Sequence, residues 1–441
     1  MLHTTRPLET RSRRGQAFLA SLLLGLAGSS SAESLTDAWH MALSADGVQA
    51  SIHSLRDAAD DEARATTRLR FPVVDLSASY TQMQAAPFLD IETPAGRLQS
   101  PKIWPNDRYA MSSAELSVPL WTSGRISGLI NAARAGVQRA AAEDTRGVAD
   151  LKLGVAEAYV GVFRARAAEA VAESTVASLQ AHAQDVEVMF NQEAVPKSDL
   201  LAAQVALANA RQQQLRAQHG LRLATSAYNR MVGQPMDRSP DLDPPAVPSR
   251  AAAVDGLAAL VQLALRSRPE LAALGAQQEA YAAQATAERA QTWPQIGLRM
   301  GVTHLDNQIL DRQNFASVGV GIQWRLFDSG QVSARVSAWR HRAEATRRLQ
   351  DDLRTRIELE VESAWLDQDD AGARLRASAE AVAHAEENLR LSRELYAVGL
   401  ATNAQVLDAT ALRVMAVTNR DGAAYDSIIA AYRLSRAIGE L

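Results

Sequence analysis

Polar and apolar residues alternate along four short segments of this chain. The segments lie at about residues 72–84, 108–120, 295–304 and 315–326. In the third segment the even-numbered positions from 296 to 302 are apolar: Ile296, Leu298, Met300 and Val302. Such alternation predicts β-strands that present one apolar face and one polar face.

The alternation is compatible with two kinds of sheet, one in a soluble domain and one in a membrane. A soluble domain with one buried sheet face has the same alternation. The strand length also matches transmembrane β-strands, whose apolar face meets lipid while the polar face lines a lumen. Four strands cannot close a transmembrane barrel, and an open edge in lipid would leave backbone groups without hydrogen bonds. A barrel would therefore have to be shared by several copies of the chain.

The remaining segments are poor in Gly and Pro and rich in Ala, Leu, Arg, Glu and Gln, so we expect helices there. The predicted helices are Leu35–Arg70, Ser123–Phe190, Ser198–Met231, Ala252–Thr292 (with a break near Arg268), Ser329–Tyr396 and Asn403–Ile438. The second would be about 100 Å long at ~1.5 Å per residue, a length that implies coiled-coil packing. Thr122 or Ser123, and Asp328 or Ser329, are suitable N-cap residues for the two longest helices.

The chain contains an internal repeat with an offset of 206 residues. Leu120–Ile126 resembles Leu326–Val332, and the segment Phe190–Ala203 lines up with Tyr396–Ala409. The pairs Phe71-Pro72 and Trp293-Pro294 match at an offset of 222, so the first half carries 16 additional residues before its second strand. We divide the chain into a first half at 33–233, a Pro-rich linker at 234–251 and a second half at 252–441. Each half is expected to run helix, strand, strand, helix, helix.

Residues 1–32 have the pattern of a secretory signal peptide. Arg13 and Arg14 precede an apolar run from Ala17 to Ala27, and Ser31-Ala32 offers a small-residue cleavage site. The chain has no cysteine, which excludes disulfides and attachment of lipid at a Cys. The formal net charge of -4 provides no basic field for nucleic acid, so we expect no nucleic-acid partner.

The sequence carries no enzyme motif. It has no Gly-rich phosphate loop and no Gly-x-Ser-x-Gly elbow, and its eight His residues are dispersed without the close spacing of metal ligands. We therefore predict that the protein is not an enzyme and that it needs no cofactor and no metal.

Taken together, these features resemble the TolC-like family of outer-membrane efflux proteins, also called outer membrane factors. The resemblance rests on the tandem halves, the helix-to-strand Phe-Pro and Trp-Pro pairs, and three further segments: Thr122–Arg125, Asp328–Gln331 and Tyr396–Ala409. It covers nearly all of the chain after residue 32. It implies a mixed α and β fold: a tandem-repeat protomer with long coiled-coil hairpins and four transmembrane strands. Three protomers would form a 12-strand β-barrel and an α-helical periplasmic tunnel.

The resemblance also implies a function. The protein would be the passive outer-membrane channel of a tripartite efflux or type I secretion system, with its helices in the periplasm. Its partners would be two further copies, outer-membrane lipid, a periplasmic adaptor (membrane fusion) protein and an inner-membrane transporter. The alternative is a periplasmic or surface coiled-coil structural protein with a small β-head. The cargo, whether drug, metal or protein, is left open.

The resemblance assigns roles to residues near the ends of the long helices. Asp408 occupies the position that forms an acidic ring at the periplasmic gate, and Gln405 stands where the family has a second ring residue. Tyr396 and Asp199 match a latch pair that holds the closed state by hydrogen bonding. An Arg that supports this latch in the family is replaced by Ala401.

The turns between the long helices are implied docking sites for the adaptor. In the second half the turn is Val398-Gly399-Leu400. In the first half it is Gln192-Glu193-Ala194 followed by Val195-Pro196, which departs from the family's Gly-containing tip. A Gly at this position also has a simpler role, because it terminates a helix.

Overall fold

The computed structural model describes residues 32–86, 90–99, 107–248, 256–306 and 311–441. Apart from Ala32, the predicted signal peptide at 1–32 lies outside these residues, and so do the first four residues of the predicted helix Ala252–Thr292. None of the helices within the described ranges is long and apolar enough to cross a membrane.

Two long helical hairpins form most of the molecule. In the first half, α3 (Arg125–Asn191) has 67 residues and α4 (Lys197–Met231) has 35. In the second half, α7 (Gln331–Ala397) and α8 (Asn403–Ala437) have the same lengths, 67 and 35 residues. All four bounds shift by 206 residues between the halves, the same offset as in the sequence repeat. The tandem-repeat fold predicted from the sequence is therefore confirmed.

Shorter helices precede the strands in each half. They are α1 (Leu35–Ala45), α2 (Gly47–Arg68), α5 (Leu257–Ser267) and α6 (Pro269–Arg289), which continues into a 3-10 turn at Ala290–Thr292. The prediction of one continuous helix over Leu35–Arg70 was wrong. Asp46 leaves the helical conformation, and its carboxylate accepts hydrogen bonds from the backbone N–H of Val48 and Gln49 at 2.7 and 2.8 Å. It thereby caps a second helix. The break predicted near Arg268 is present, because Pro269 begins α6.

The four predicted strands form one antiparallel sheet in the order β1-β4-β5-β6. Their bounds are β1 (Val73–Gln82), β4 (Arg108–Trp121), β5 (Gln295–Leu305) and β6 (Asn314–Gln323). The sequence did not predict the small hairpin β2 (Asp90–Thr93) and β3 (Gly96–Gln99), which lies between β1 and β4, the part of the first half that carries the 16 additional residues.

The register of the sheet keeps apolar and polar residues on separate faces. Leu116 of β4 pairs with Met300 of β5, which pairs with Val318 of β6. The neighbouring row pairs Glu115 with Gly301. Both edge strands have one partner each within the described chain, since β1 pairs with β4 and β6 pairs with β5. The protomer thus exposes a large apolar face and two edges with free hydrogen-bonding groups.

The strands pass into the long helices through left-handed Ser-Gly turns. Ser123 and Gly124 have φ angles of 52° and 91°, and Ser329 and Gly330 have 55° and 81°. The N-cap residues are the two glycines, so the predicted caps at residues 122–123 and 328–329 were misplaced. Asp328 nevertheless accepts the N–H groups of Gly330 and Val332 at 2.9 and 2.8 Å. It satisfies donors that the glycine cannot, because a glycine has no side chain.

Candidate functional site at the tips of the hairpins

The ends of all four long helices share one apolar core at the tip of the molecule. Its buried members are Ala183, Val186, Ala203, Leu389, Tyr396, Val406 and Ala409. Val195 and Ala401 from the two turns pack against this core. The tip of one hairpin is therefore packed on the tip of the other, and every predicted site residue lies in this region.

The two turns have the same backbone conformation although their sequences differ. Glu193 has φ 62° and Gly399 has φ 76°. In each turn an amide bonds back across the end of the helix, from Ala194 to the carbonyl of Met189 at 2.9 Å and from Leu400 to Leu395 at 2.8 Å. This left-handed ending favours glycine. The first half keeps the glycine geometry with a glutamate, at a cost of about 1–2 kcal/mol.

A buried hydrogen-bond network joins the two hairpins. His182 Nε2 on α3 lies 2.7 Å from Asn403 Oδ1 at the start of α8. The amide nitrogen of Asn403 donates to the backbone carbonyl of Asp199 on α4 at 3.0 Å. His182 and Asn403 are both buried, so the hydrogen bond between them is shielded from water.

The predicted latch pair is adjacent to this network but is not joined by a hydrogen bond in the protomer. Tyr396 is buried with its ring 5.4 Å from the His182 ring, and its hydroxyl has no hydrogen-bond partner. Burial raises the pKa of Tyr396, and the charge of the nearby Asp199 carboxylate raises it further. Within one protomer, the link between the halves passes through Asn403 instead of through the Tyr396 hydroxyl.

The two predicted gate residues are exposed on one side of α8. Asp408 forms no ion pair or hydrogen bond through its side chain with any described residue. Gln405 is engaged locally, because its Oε1 accepts the backbone N–H of Thr402 at 2.7 Å while Thr402 Oγ1 accepts the N–H of Gln405 at 3.4 Å. This reciprocal capping box fixes the start of α8. Gln405 therefore has a structural role at the position of the family's second ring residue.

The predicted docking residues differ in accessibility. Val398 and Leu400 are exposed apolar side chains at the end of the second hairpin. Gly399 between them supplies the left-handed turn. Val195 is half-buried against the tip core, and Pro196 is exposed where it precedes α4.

Sequence reasoning missed His182 and Asn403. A signal for His182 was present, because it lies on the same helix face as the buried Leu179 and Val186, where an apolar residue is expected. Asn403 gave no such signal, since a polar residue at the start of a helix is ordinary.

Further from the tip, charged side chains connect α3 to α8. Three ion pairs cross between the helices: Arg164–Asp426 at 2.5 Å, Glu157–Arg433 at 2.7 Å and Asp150–Arg436 at 2.6 Å. These three ion pairs lie in the half of α8 that is away from the tip, whereas His182 and Asn403 meet at the tip itself.

Residues 260–440 match the family model described as outer membrane efflux protein. The chain is 24% identical over 291 residues to the outer membrane efflux protein BepC of Brucella suis, an alignment that covers 64% of this chain and 62% of that protein. It is 26% identical over 298 residues to the alkaline protease secretion protein AprF of Pseudomonas aeruginosa, covering 66% and 62% of the two chains. The match thus spans less than two thirds of the length of these relatives.

Solved structures share the fold over most of their length. The outer-membrane channel OprN superposes with a TM-score of 0.77 at 20% identity, covering 92% of this chain and 90% of that one. The outer-membrane protein VceC from Vibrio cholerae also gives 0.77, at 18% identity, covering 92% and 96%. The fold is that of TolC-like outer-membrane channels. The second half of the chain carries the outer membrane efflux protein domain, and the resemblance inferred from the sequence is confirmed. The family model, BepC and OprN are all described as outer-membrane proteins.

Proposed function

We propose that three copies of this chain assemble into a passive duct that carries molecules from the periplasm through the outer membrane. The observation that supports it most directly is the four-stranded sheet with an exposed apolar face and two edge strands that each lack one partner. In lipid the backbone N–H and C=O groups of an edge strand need hydrogen-bond partners. The edge strands of neighbouring copies would provide them when the sheets join into one closed barrel. Three copies would give a barrel of 12 strands, and β6 of each copy would lie beside β1 of the next.

The polar face of the sheet supports a passive role without catalysis. It carries mainly small residues, among them Ser113, Thr303, Gly301, Ser317, Gly319 and Gly321. Glu115 and Arg299 on this face lie 3.7 Å apart and offset each other's charge. A lumen lined in this way would present little that selects one cargo, so the proposal covers drug, metal and polypeptide export.

The tip of the hairpins would be the gate. Asp408 is exposed, so three copies around one axis would form an acidic ring that attracts cations. Gln405 is held in a capping box, which supports a ring with a single acidic layer. The latch proposed for Tyr396 and Asp199 would act together with the Asn403 network, because Asp199 contributes its backbone carbonyl to that network.

Two further partners belong to the proposal. A periplasmic adaptor would dock at the turns, where Val398 and Leu400 offer exposed apolar side chains and Val195 and Pro196 form the corresponding turn of the first half. An inner-membrane transporter would supply the energy. One relative is named for efflux and another for secretion of a protease, and this chain would serve a system of one of these two kinds.

Purification in mild detergent followed by chemical cross-linking and planar-bilayer recording tests the proposal. We expect cross-linking to stop at three chains and the purified trimer to conduct ions. The alternative, a coiled-coil structural protein with a small β-head, predicts a chain that stays soluble without detergent and does not conduct. A stable, monodisperse monomer in detergent would refute the duct.

A further inference from the structure

Each of the four junctions between sheet and helices carries an exposed aromatic ring. The exposed fractions are 61% for Phe71, 50% for Trp121, 58% for Trp293 and 54% for Trp324. Large apolar rings are seldom this exposed in every one of several equivalent positions without a partner. The four junctions therefore share one surface property, an exposed aromatic ring.

The topology of the sheet places all four rings at one level. β1 and β5 begin at this end of the sheet, and β4 and β6 end there, with Gln295 paired to Gln323. A β-bulge between Pro119 and Trp121 shifts the register, so that Trp121 pairs with Ile296 on the apolar face. Without the bulge, alternation would turn Trp121 to the polar face. Rings with a polar atom collect where a barrel's apolar band meets water.

Arginines accompany the rings on the two edge strands. Arg70 directly precedes Phe71, and Arg325 directly follows Trp324. Both guanidinium groups are exposed, and neither forms an ion pair with an acidic residue in the described ranges, although Arg325 lies close enough to Asp328 for their opposite charges to interact. The nearest acid to Arg325 in sequence, Asp328, accepts two backbone N–H groups of the following helix turn.

From this arrangement we infer that anionic phospholipid of the periplasmic leaflet binds at each boundary between protomers. The inference rests on the proposed trimer, because closure brings β6 of one copy beside β1 of the next. Arg70 and Phe71 then face the partner subunit's Trp324 and Arg325. Two guanidinium groups at one corner suit a phosphodiester, which accepts paired N–H donors, and the rings pack against the acyl and glycerol part of the lipid. A trimer has three such corners.

The test uses full-length protein reconstituted in vesicles with equal amounts of phosphatidylglycerol and phosphatidylcholine. The trimer is extracted in mild detergent, and native mass spectrometry counts the lipids that it retains. We expect up to three phosphatidylglycerol molecules per wild-type trimer and few phosphatidylcholine molecules. An arginine near a lipid surface contributes a factor of about five in binding, so Arg70→Gln and Arg325→Gln should each lower retention about fivefold and the double variant about 30-fold.

Arg312→Gln is the matched control. Arg312 is exposed and precedes β6, at the opposite end of the sheet, so its loss should leave phosphatidylglycerol retention unchanged. The single variants are measured alongside the double variant, so that the proposal can still be tested if the double variant assembles poorly.

Equal retention of the two lipids by wild type, or unchanged retention in both single variants, would overturn the lipid site and leave the duct intact. Absence of any wild-type trimer would overturn the duct and the lipid site together.

Discussion

The network around Asn403 makes a quantitative prediction about the tip. Asn403 is 3% exposed, and both ends of its amide are hydrogen-bonded, to His182 at 2.7 Å and to the Asp199 carbonyl at 3.0 Å. Asn403→Ala leaves the buried His182 Nε2 without its partner and removes the hydrogen bond to the half-buried Asp199 carbonyl. An unsatisfied buried group costs about 1–3 kcal/mol and a lost hydrogen bond about 0.5–1.5 kcal/mol, so the contact between the hairpins should weaken by about 2 kcal/mol.

Hydrogen exchange of the amides in the first two turns of α8 measures this change directly. A loss of about 2 kcal/mol in the free energy of local opening corresponds to exchange about 30-fold faster. Lys197→Ala is the matched control, because Lys197 occupies the equivalent position of the first half and is exposed. In the Lys197→Ala variant the same α8 amides should exchange at a rate within a few-fold of the wild-type rate. If the α8 amides of the Asn403→Ala variant exchanged as slowly as those of wild type, the hydrogen bonds of Asn403 would not stabilise the contact between the tips.

Four further predictions follow from the sheet, the turns and the gate. Asp408→Asn should lower cation selectivity and block by divalent cations in planar bilayers without affecting trimer assembly, and unchanged selectivity and block would remove Asp408 from the gate. Val320→Arg should prevent membrane insertion, because a cation near the bilayer midplane costs about 2–4 kcal/mol, whereas Ser317→Arg should insert normally; equal recovery of both in outer-membrane fractions would contradict the face assignment. Glu193→Gly should slow amide exchange in its turn, as relief of the left-handed strain is worth about 1 kcal/mol, and faster exchange would contradict that account. An epitope inserted after Gly96 should be labelled on intact cells, because the longer loops of such barrels face outward, and labelling only after permeabilisation would reverse the topology.

The strands and long helices could be predicted because their determinants are local. Alternation sets the faces of a strand, and the absence of Gly and Pro over a long segment leaves helix as the favoured state. The prediction was wrong where a single polar side chain decides the outcome. Asp46 divides the first helix by accepting hydrogen bonds from two backbone N–H groups. The sequence does not distinguish such a capping carboxylate from one that lies within a helix. The β2–β3 hairpin was missed because each strand has only four residues, too few to establish alternation.

The location of the candidate site could be predicted, but its contacts could not. The family resemblance assigned roles to Tyr396, Asp199 and Asp408, and all three residues lie at or beside the tip core. The network that joins the halves depends on His182 meeting Asn403, residues 221 positions apart in the chain. No periodicity within either helix encodes that meeting. It depends on how far each hairpin extends and how the two are rotated against each other.

The equal lengths of the two hairpins restrict how this protein can change in evolution. Both halves pair a helix of 67 residues with one of 35, and their tips therefore reach the same level. Deleting seven residues from each arm of one hairpin would withdraw its tip by about 10 Å. The hydrogen bond between His182 and Asn403 would then be broken, and the tip of the longer hairpin would no longer pack against the other tip. Insertions and deletions in the long helices should consequently be inherited as matched pairs, one in each half, so that related proteins differ in hairpin length symmetrically even where their sequences have diverged independently.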